Sequence, residues 1–462
     1  MQDNPTSLRV PDPGVRALFA RDARWQAWLD VEVALARAEA ELGVIPTAAA
    51  AEIAAEARLD RLDRARIEDG LRRTGHLLVP LVWELSRVCA GDAGGYIHWG
   101  ATTQNIVQTG DLLQLRRAHR IFLAQIATIL ESMADLAERS RDMALPGRTH
   151  GQHAVPVTFG FKVAAWIDET RRHAARLRGA EARVFVAMLG GAAGTFASFG
   201  ERGPEIQARM AAHLDMAAME TPSRAIGDHL AEYVGLLGLL GATCGKIARE
   251  IYTLMKQEFG EVAEGASDGT IGSSTMPQKQ NPILSQDVVA MAATLRALTP
   301  LALEAMQTEH EADRATSLMM RRAVEEACGL TGDILSRMQM LIAGLRIDPA
   351  RMRRNLDLTG GLIMAEAVML ALGRQIGRQA AHDAVHHAAQ ATARGEGRFE
   401  TLLAANETVR GRLAEAEIAG LLDPAAYTGE CARIASTQAS RAREAAAALR
   451  AAAATTTEES EK

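Results

Sequence analysis

Aromatic side chains make up only 4% of this chain of 462 residues, which is rich instead in alanine and leucine. Strands favour aromatic and β-branched residues, whereas alanine and leucine favour helices, so this scarcity argues against a β-sheet protein and predicts an all-α fold. With 48% apolar and 23% charged residues, the composition is that of a globular protein. The length suits two to four domains of roughly 150 residues each.

The chain also lacks an excess of positive charge. Its formal net charge is −6 and its isoelectric point is near 6.1. An overall basic field, which would attract nucleic acid or an anionic membrane surface, is therefore missing. We expect neither nucleic acid nor a membrane as a partner.

Cysteine is rare as well. Cys89, Cys244, Cys328 and Cys431 lie far apart, and none is spaced as in a CxxC motif. This favours buried thiols in a reducing compartment over a disulfide framework or a zinc site. The first residues lack the basic and apolar regions of a signal peptide, and no apolar run approaches the length of a membrane span. We therefore expect a cytoplasmic protein.

Residues for a metal or a cofactor are equally hard to find. No group of His, Asp or Glu has metal-ligand spacing. The glycine-rich run at 190–195 lacks the strand that precedes a dinucleotide-binding loop, and it indicates a tight turn between a helix and a loop. The sequence thus predicts no metal and no cofactor.

Long helical periodicity is what the chain does have. Between 111 and 143 apolar residues recur at the narrow spacing of a coiled-coil seam, namely Leu115, Phe122, Ile126, Ile129, Met133 and Leu136. Similar patterns occupy about 157–188, 226–258, 283–307 and 316–345. Such helices exceed the average of about 11–12 residues, and long seams usually pair with other subunits. We predict a helical bundle within an oligomer.

The periodicity divides the chain into three predicted domains. Residues 1–110 form an N-terminal helical domain, and 111–355 form the central bundle of long helices, which carries a loop at 264–282. Residues 356–462 form a C-terminal helical domain with a disordered tail from Thr455.

Three polar clusters lie where long helical patterns begin or end. The first is the segment His98-Trp99-Gly100-Ala101-Thr102-Thr103-Gln104-Asn105, before the helix predicted from 111. Hydroxyls beside the N–H groups of a helix start suit a carboxylate ligand. The alternative is simple N-capping by Thr102 or Thr103.

The second cluster runs from Arg148 to His153. His150 can donate a proton to a leaving group, since the pKa of an ordinary histidine, about 6.5, lies near neutral pH. The alternative is a hydrogen-bonded structural histidine. His76 is a weaker candidate for the same chemistry.

The third cluster is the run Gly272-Ser273-Ser274-Thr275-Met276-Pro277-Gln278-Lys279-Gln280-Asn281-Pro282. Hydroxyl, cationic and amide side chains stand close together in it, after a glycine-containing approach. Such a loop can close over a small anion and bring a serine to it. The alternative is a polar surface loop between two helices.

This run resembles the signature Gly-Ser-Ser-x-Met-Pro-x-Lys-x-Asn-Pro of the aspartase/fumarase superfamily, with every fixed position present. Residues 98–104 are similar to the His-Trp-Gly-Ala-Thr-Ser-Gln segment of 3-carboxy-cis,cis-muconate cycloisomerases. Residues 351–359 resemble both that group and the adenylosuccinate lyases, and the likeness extends over nearly the whole chain.

The resemblance implies a three-domain, all-α fold with a central bundle of five long helices. Four subunits would form a homotetramer with a twenty-helix core. Each active site would be assembled from three subunits, with one polar cluster from each. The substrate would be a small dicarboxylate, and no cofactor would be needed.

The resemblance also implies anti elimination across a succinyl-like unit through an aci-carboxylate intermediate. Ser273 matches the catalytic base and His150 the general acid. The remaining matches hold the substrate: Thr102, Thr103, Lys279 and Asn281 at its carboxylates, Ser274 and Met276 within the signature, and His76 and Gln152 at positions that line the site in adenylosuccinate lyases.

Departures from both groups narrow the expected function. Bacterial muconate cycloisomerases have tryptophan where this chain has His150. Adenylosuccinate lyases carry Arg-Tyr near the N-terminus, where this chain has Arg9-Val10-Pro11. We therefore predict a carbon–nitrogen lyase that eliminates an amine or nitro group from a substituted succinate and releases fumarate. The alternatives are carboxymuconate cycloisomerisation, then adenylosuccinate cleavage, then a structural role such as that of lens crystallins.

Replacing Ser273 by Ala is expected to abolish turnover, because Ser273 matches the base that removes the carbon-bound proton. The measurement is fumarate or lactone formation by the variant, with size-exclusion chromatography to show that the oligomer is intact. Substantial residual rate in an intact oligomer would contradict the assignment of the base.

Overall fold

The structure is a computed structural model that describes residues 8–265, 275, 276 and 278–460. Within them lie the helices α1 (Val15–Leu18), α2 (Arg21–Glu41), α3 (Thr47–Glu56), α4 (Arg64–Thr74), α5 (Val79–Val88), α6 (Thr103–Arg139), α7 (Phe159–Val184), α8 (Gly203–His213), α9 (Asp228–Leu254), α10 (Ile283–Glu304), α11 (Arg314–Ala343), α12 (Pro349–Leu356), α13 (Ala365–Ile376), α14 (Arg378–Ala393), α15 (Phe399–Ala405), α16 (Glu407–Arg410), α17 (Glu415–Leu421) and α18 (Cys431–Ser460). The strands are β1 (Ala144–Thr149), β2 (Gln152–Thr158), β3 (Val186–Ala187), β4 (Ala217–Ala218), β5 (Val262–Ala263) and β6 (Arg346–Ile347).

The prediction of an all-α chain with long central helices is confirmed. The described strands pair only two by two: β1 with β2 and β5 with β6 antiparallel, and β3 with β4 parallel. The β1–β2 hairpin was not predicted, because Pro146, Gly147 and Pro156 weaken the strand signal in this segment.

The central bundle consists of α6, α7, α9, α10 and α11, which pack along one another. Every residue of the predicted seam in α6 is buried. The helix begins at Thr103, eight residues before the predicted start at 111 and inside the proposed N-terminal domain. The reason is that Ile106 and Val107 are buried against the N-terminal core and extend the helix towards it.

Two smaller cores flank the bundle. In the N-terminal one, α2, α3, α5 and α8 surround residues such as Trp25 and Trp28. In the C-terminal one, α13 to α17 surround Val368, Leu372 and Phe399. The N-terminal core takes in α8, which lies within the segment 111–355 that the sequence assigns to the central bundle, so the three-domain division stays a prediction.

The last helix, α18, leaves the C-terminal core and lies against α6 and α7. Its small side chains, among them Ala439, Ala442 and Ala446, are buried in the core of the bundle. The sequence predicts a disordered tail from Thr455, but the backbone of α18 stays helical to Ser460. Alanine has the highest helix propensity, and the alanine-rich run before Thr455 favours continuation of the helix.

Helix α9 is apolar and long enough to cross a bilayer by length and composition, as is the bent segment 349–376 if its two parts are taken as one span. In the structure 61% of the most apolar window of α9 is buried. This helix packs against α7, α10 and α11 and belongs to the core of the bundle.

The four cysteines are buried and unbridged, as the sequence predicts.

Gly160 sets the contact between the end of α6 and the start of α7. A Cβ at this position would lie 2.6 Å from both Ala137 O and Arg141 Cα, which are backbone atoms that cannot turn away. Gly179, in the same helix, has open space where a Cβ would be.

Gly160→Ala is therefore expected to lower the free energy of unfolding by about 1–3 kcal/mol, because the helices must move apart. Gly179→Ala, the matched control, should raise it by up to about 1 kcal/mol through helix propensity. Thermal unfolding at one protein concentration measures both. A Gly160→Ala protein as stable as the control would contradict this account.

Candidate active site

The first polar cluster lies at the N-terminal end of α6. Thr102 is the N-cap residue, and its backbone N–H donates to Asn105 Oδ1 at 3.0 Å. Thr102 and Asn105 form a capping box at the start of α6. N-capping by Thr102 therefore remains an alternative to carboxylate binding.

His76 lies beside this cluster. Its Nδ1 accepts hydrogen bonds from the N–H groups of Leu78 and Val79 at 3.3 and 3.1 Å, so the proton of the neutral ring is on Nε2. Nε2 lies 3.4 Å from Thr103 Oγ1, so its N–H can donate a long, weak hydrogen bond to that hydroxyl. The structure thus brings together three predicted site residues, His76, Thr102 and Thr103.

The turn before Thr102 is fixed by close contacts. His98 and Gly100 have φ angles of 63° and 67°, and a Cβ on Gly100 would lie 2.6 Å from the Phe199 ring. His98 Nδ1 is 2.7 Å from Oε1 of the buried Glu32. Burial by itself lowers the pKa of His98, but the hydrogen bond and charge of Glu32 raise it above its usual value. The pair holds the turn against the N-terminal core.

The second cluster forms the tip of the β1–β2 hairpin. Thr149 pairs with Gln152, so His150 and Gly151 are the two turn residues. Their φ angles, 53° and 77°, are both positive, as a type I′ turn requires. The side chains of His150 and Gln152 are exposed in the single chain. This arrangement presents an imidazole at the tip of a short hairpin.

A buried carboxylate anchors the hairpin close to its tip. Glu261 is fully buried and forms two hydrogen bonds with Arg148, at 2.6 and 3.0 Å. Asn355 Nδ2 donates to the same carboxylate at 2.7 Å and to Phe259 O at 2.9 Å. The Arg148 guanidinium also lies 4.8 Å from the centre of the Phe259 ring. The hairpin is therefore tied to the segment that leads into the signature loop.

The signature loop is described only in part, and Ser273 and Ser274 lie outside the described residues. Met276 and Lys279 are exposed, and Asn281 is half-buried. The ends of the loop are clamped. The Glu264 carboxylate accepts from the N–H groups of Leu284 and Ser285 at 3.1 and 2.8 Å, which caps α10. Arg346 donates hydrogen bonds to the backbone oxygen of Glu264 and to Oε1 of Gln280.

The clusters lie at opposite ends of the bundle. Helix α6 has 37 residues and is roughly 55 Å long at a rise of about 1.5 Å per residue. Thr102 and Thr103 stand at its start, and the hairpin follows its end. One chain therefore does not bring His150 and Gln152 to His76, Thr102 and Thr103. Helix α10, 22 residues or roughly 33 Å long, likewise separates Lys279 and Asn281 from the first cluster.

A cleft opens beside the first cluster, with an empty volume of about 730 Å³ that includes open solvent. Its walls are the first turns of α6, residues 224–227, and the start of α11. Polar groups on these walls include Gln104, Gln108, Arg224, Ser317 and Arg321.

Sequence reasoning missed Glu261 and Arg224 as functional candidates. Glu261 pairs with residues 113 and 94 positions away, and no local pattern signals such partners. Arg224 follows Pro222 in a segment without periodicity, so only the folded chain places it in the cleft.

Two models of known protein families match most of the chain. A family model described as "Lyase" matches residues 7–296, and one described as "Adenylosuccinate lyase C-terminus" matches residues 361–437.

Curated relatives carry several related names. N-acetyl-S-(2-succino)cysteine lyase of Enterococcus italicus is 38% identical over 90% of this chain and 92% of its own length. 3-Carboxy-cis,cis-muconate cycloisomerase of Pseudomonas aeruginosa is 40% identical over 90% and 91%. Adenylosuccinate lyase of Methanothermobacter thermautotrophicus is 38% identical over 81% and 84%.

Solved structures agree with the fold. The fumarate lyase from Mesorhizobium sp. BNC1 has a TM-score of 0.87 and 36% identity, covering 93% of this chain and 98% of that one. The 3-carboxy-cis,cis-muconate lactonizing enzyme from Pseudomonas putida has the same TM-score and 33% identity, covering 97% and 100%.

Glu261→Ala is expected to lower the free energy of unfolding by about 3–5 kcal/mol, because it leaves the mostly buried Arg148 without its carboxylate. The control is Glu258→Ala, an exposed glutamate in the same turn, which should stay within about 0.5 kcal/mol of the parent. Thermal unfolding compares the two. Equal stability of both variants would show that the buried pair does not anchor the hairpin.

Proposed function

This chain is a member of the aspartase/fumarase superfamily of lyases, and we propose that it cleaves a substituted succinate by anti β-elimination and releases fumarate. In this reaction Ser273 of the signature loop is the base and His150 is the acid. It requires no metal and no cofactor.

The observation that carries the proposal is the setting of His150. The imidazole is exposed at the tip of a type I′ turn, and the strands next to the turn are held by the Arg148–Glu261 pair. A histidine used only for structure would be expected to have its ring hydrogen-bonded within the fold. An exposed imidazole on an anchored support suits proton transfer to a substrate.

The reaction balances with the residues of the three clusters. Ser273 takes the proton from C3 of the succinate, and the electron pair is held as an aci-carboxylate by Lys279 and Asn281. The C2–X bond then breaks as the C2–C3 double bond forms, and His150 gives its proton to X. Thr102 and Thr103 hold the second carboxylate. The products are fumarate and HX.

We further propose that each site is shared by three subunits of a homotetramer. The lengths of α6 and α10 support this, because they keep the clusters of one chain apart. Exposed leucines on three bundle helices support it too: Leu239 on α9, Leu303 on α10 and Leu318 on α11 are each about half exposed in the single chain. Such residues favour burial against other copies.

The leaving group X is nitrogen or sulfur in this proposal. An amine needs a proton to depart, which His150 provides, and nitrosuccinate is a specialised nitrogen substrate with a better leaving group. The Enterococcus italicus relative is named for a thioether of succinate, so sulfur joins nitrogen as a candidate for X. All three share the succinate half and differ only at X.

Carboxymuconate cycloisomerisation is the second candidate. It is favoured by the 40% identity to the Pseudomonas aeruginosa enzyme of that name and by the His98–Gln104 segment. It would use the same serine, with an internal carboxylate as nucleophile in place of a departing group.

The test is a panel of adenylosuccinate, aspartate, nitrosuccinate, N-acetyl-S-(2-succino)cysteine and 3-carboxymuconate, with fumarate and lactone assayed in parallel for the parent and for Ser273→Ala. Serine-dependent fumarate from a succinate derivative is the expected result. Lactone without fumarate would establish the second candidate instead.

His150→Ala is expected to slow amine release by about 10²–10⁴ while slowing nitrite release far less, because nitrite departs without a proton. The measurement is kcat/KM on both kinds of substrate. An equal loss on both would show that His150 positions the substrate and does not donate the proton.

A further inference from the structure

A groove lined by arginines lies between the N-terminal core and the bundle. Its walls come from α2, α3, the middle of α6 and the end of α8, and its empty volume is about 1600 Å³, including open solvent. We call it the arginine groove, after the five arginines that line it: Arg37, Arg58, Arg116, Arg117 and Arg120. It shares no lining residue with the cleft beside the first cluster, so the two are separate cavities.

Positive charge exceeds negative charge in this groove. Arg58 lies 2.7 Å from Asp60, which is not part of the lining, and Arg117 lies 3.1 Å from Asp30, which is. The three other arginines share one carboxylate of the lining, Asp215, which leaves a surplus of two positive charges. The whole chain has a formal net charge of −6, so this surplus is a local feature of the fold.

One carboxylate oxygen serves two guanidinium groups in the groove. Arg116 Nη2 and Arg120 Nη2 lie 3.2 and 3.3 Å from the same atom, Asp215 Oδ2. Each guanidinium group has five N–H donors and can hold an anion through two parallel hydrogen bonds. The shared oxygen therefore leaves donors of both groups for another acceptor. Arg37 adds an exposed cation from α2.

Arg116 is the arginine that most needs a further anion. Its side chain is only 13% exposed, and its buried Nε has no hydrogen-bond partner within the described part of the chain. Burial is the main cause that lowers the pKa of Arg116. The charge of Asp215 opposes this effect, and the charges of Arg120 and Arg117 add to it. A second anion would stabilise a cation in these surroundings.

The groove is distant from the residues assigned to elimination at the start of α6. Arg116 lies 13 residues after Thr103 on this helix, which is roughly 20 Å along its axis. None of the lining residues belongs to α9, α10 or α11, the helices whose exposed leucines we assign to contacts between subunits. The groove therefore lies off the proposed subunit interface.

We propose that the arginine groove binds a small phosphate anion with two or more negative charges, held between the guanidinium groups of α6 and Arg37 of α2. Phosphate oxygens accept bidentate hydrogen bonds from guanidinium groups, and the charge of the anion matches the local surplus. A dicarboxylate of the substrate class has its two charges at separate ends, whereas a diphosphate concentrates them. The bound anion bridges α2 and α6. This inference does not depend on the proposed elimination.

The test measures binding of inorganic pyrophosphate to the full chain by calorimetry at constant ionic strength. Fumarate, a dianion without phosphate, is the comparison ligand. The variants are Arg37→Gln and Arg120→Gln, which each remove a cation, and Asp215→Asn, which removes the competing carboxylate. Asp215 has a positive φ angle of 53°, which asparagine also adopts readily. Arg398→Gln, at an exposed arginine just before α15, is the control for loss of one charge elsewhere.

We expect one pyrophosphate to bind per chain. Arg37→Gln and Arg120→Gln should each weaken this binding by about tenfold, since charge-assisted hydrogen bonds are the strong ones. Asp215→Asn should tighten it by about threefold, because Arg116 and Arg120 then lose their shared carboxylate. Arg398→Gln should leave it unchanged, and Arg37→Gln should leave the affinity for fumarate unchanged.

An absence of binding at millimolar pyrophosphate, or binding that survives both arginine substitutions, would overturn the proposal. A fumarate affinity that falls as much as the pyrophosphate affinity in Arg37→Gln would mean that the groove takes dicarboxylates instead. Loss of pyrophosphate binding in Lys279→Gln but not in Arg37→Gln would place the anion at the signature loop. Weaker binding in Asp215→Asn would contradict competition between this carboxylate and the ligand.

Discussion

The Glu261 carboxylate holds together three segments that are remote in sequence. It binds Arg148 near the tip of the hairpin and Asn355 on α12, and it lies next to β5, which leads into the signature loop. A fully buried charge is unfavourable unless it is paired and hydrogen-bonded, and here Arg148 and Asn355 meet that need. The position of His150 and the approach to the signature loop therefore depend on one network.

The length of the bundle helices imposes the second constraint. A stiff helix of 37 residues keeps its ends apart, so Thr102 and Thr103 do not meet the hairpin histidine of the same chain. In the proposed function, each chain would contribute part of a site at each end of its bundle. In the proposed tetramer, catalysis would require polar clusters from different subunits. The rigid helices that separate the clusters within one chain would align them between chains.

The charges near the first cluster differ in how they are paired. Arg24, Arg321, Asp111 and Glu325 form ion pairs with one another, while Arg224 has no carboxylate partner within the described part of the chain.

The sequence by itself determined the helical class, the course of the long helices and the identity of the candidate base and acid. These depend on composition, on periodicity within a few turns, and on short contiguous motifs such as 272–282 and the His98–Asn105 segment. Hydrophobic periodicity is local, so it was readable without the fold. The start of α6 was predicted eight residues late because a tertiary contact, the burial of Ile106 and Val107, extends the helix.

Only the tertiary structure decided the hairpin under His150, the pairing of Glu261 with Arg148 and Asn355, the hydrogen-bonding state of His76, and the lack of a carboxylate partner for Arg224 among the described residues. Each of these depends on groups that are distant in sequence or, in the hairpin, on strands that contain proline and glycine. Local secondary-structure propensity does not predict such partners, because only the tertiary fold brings them together.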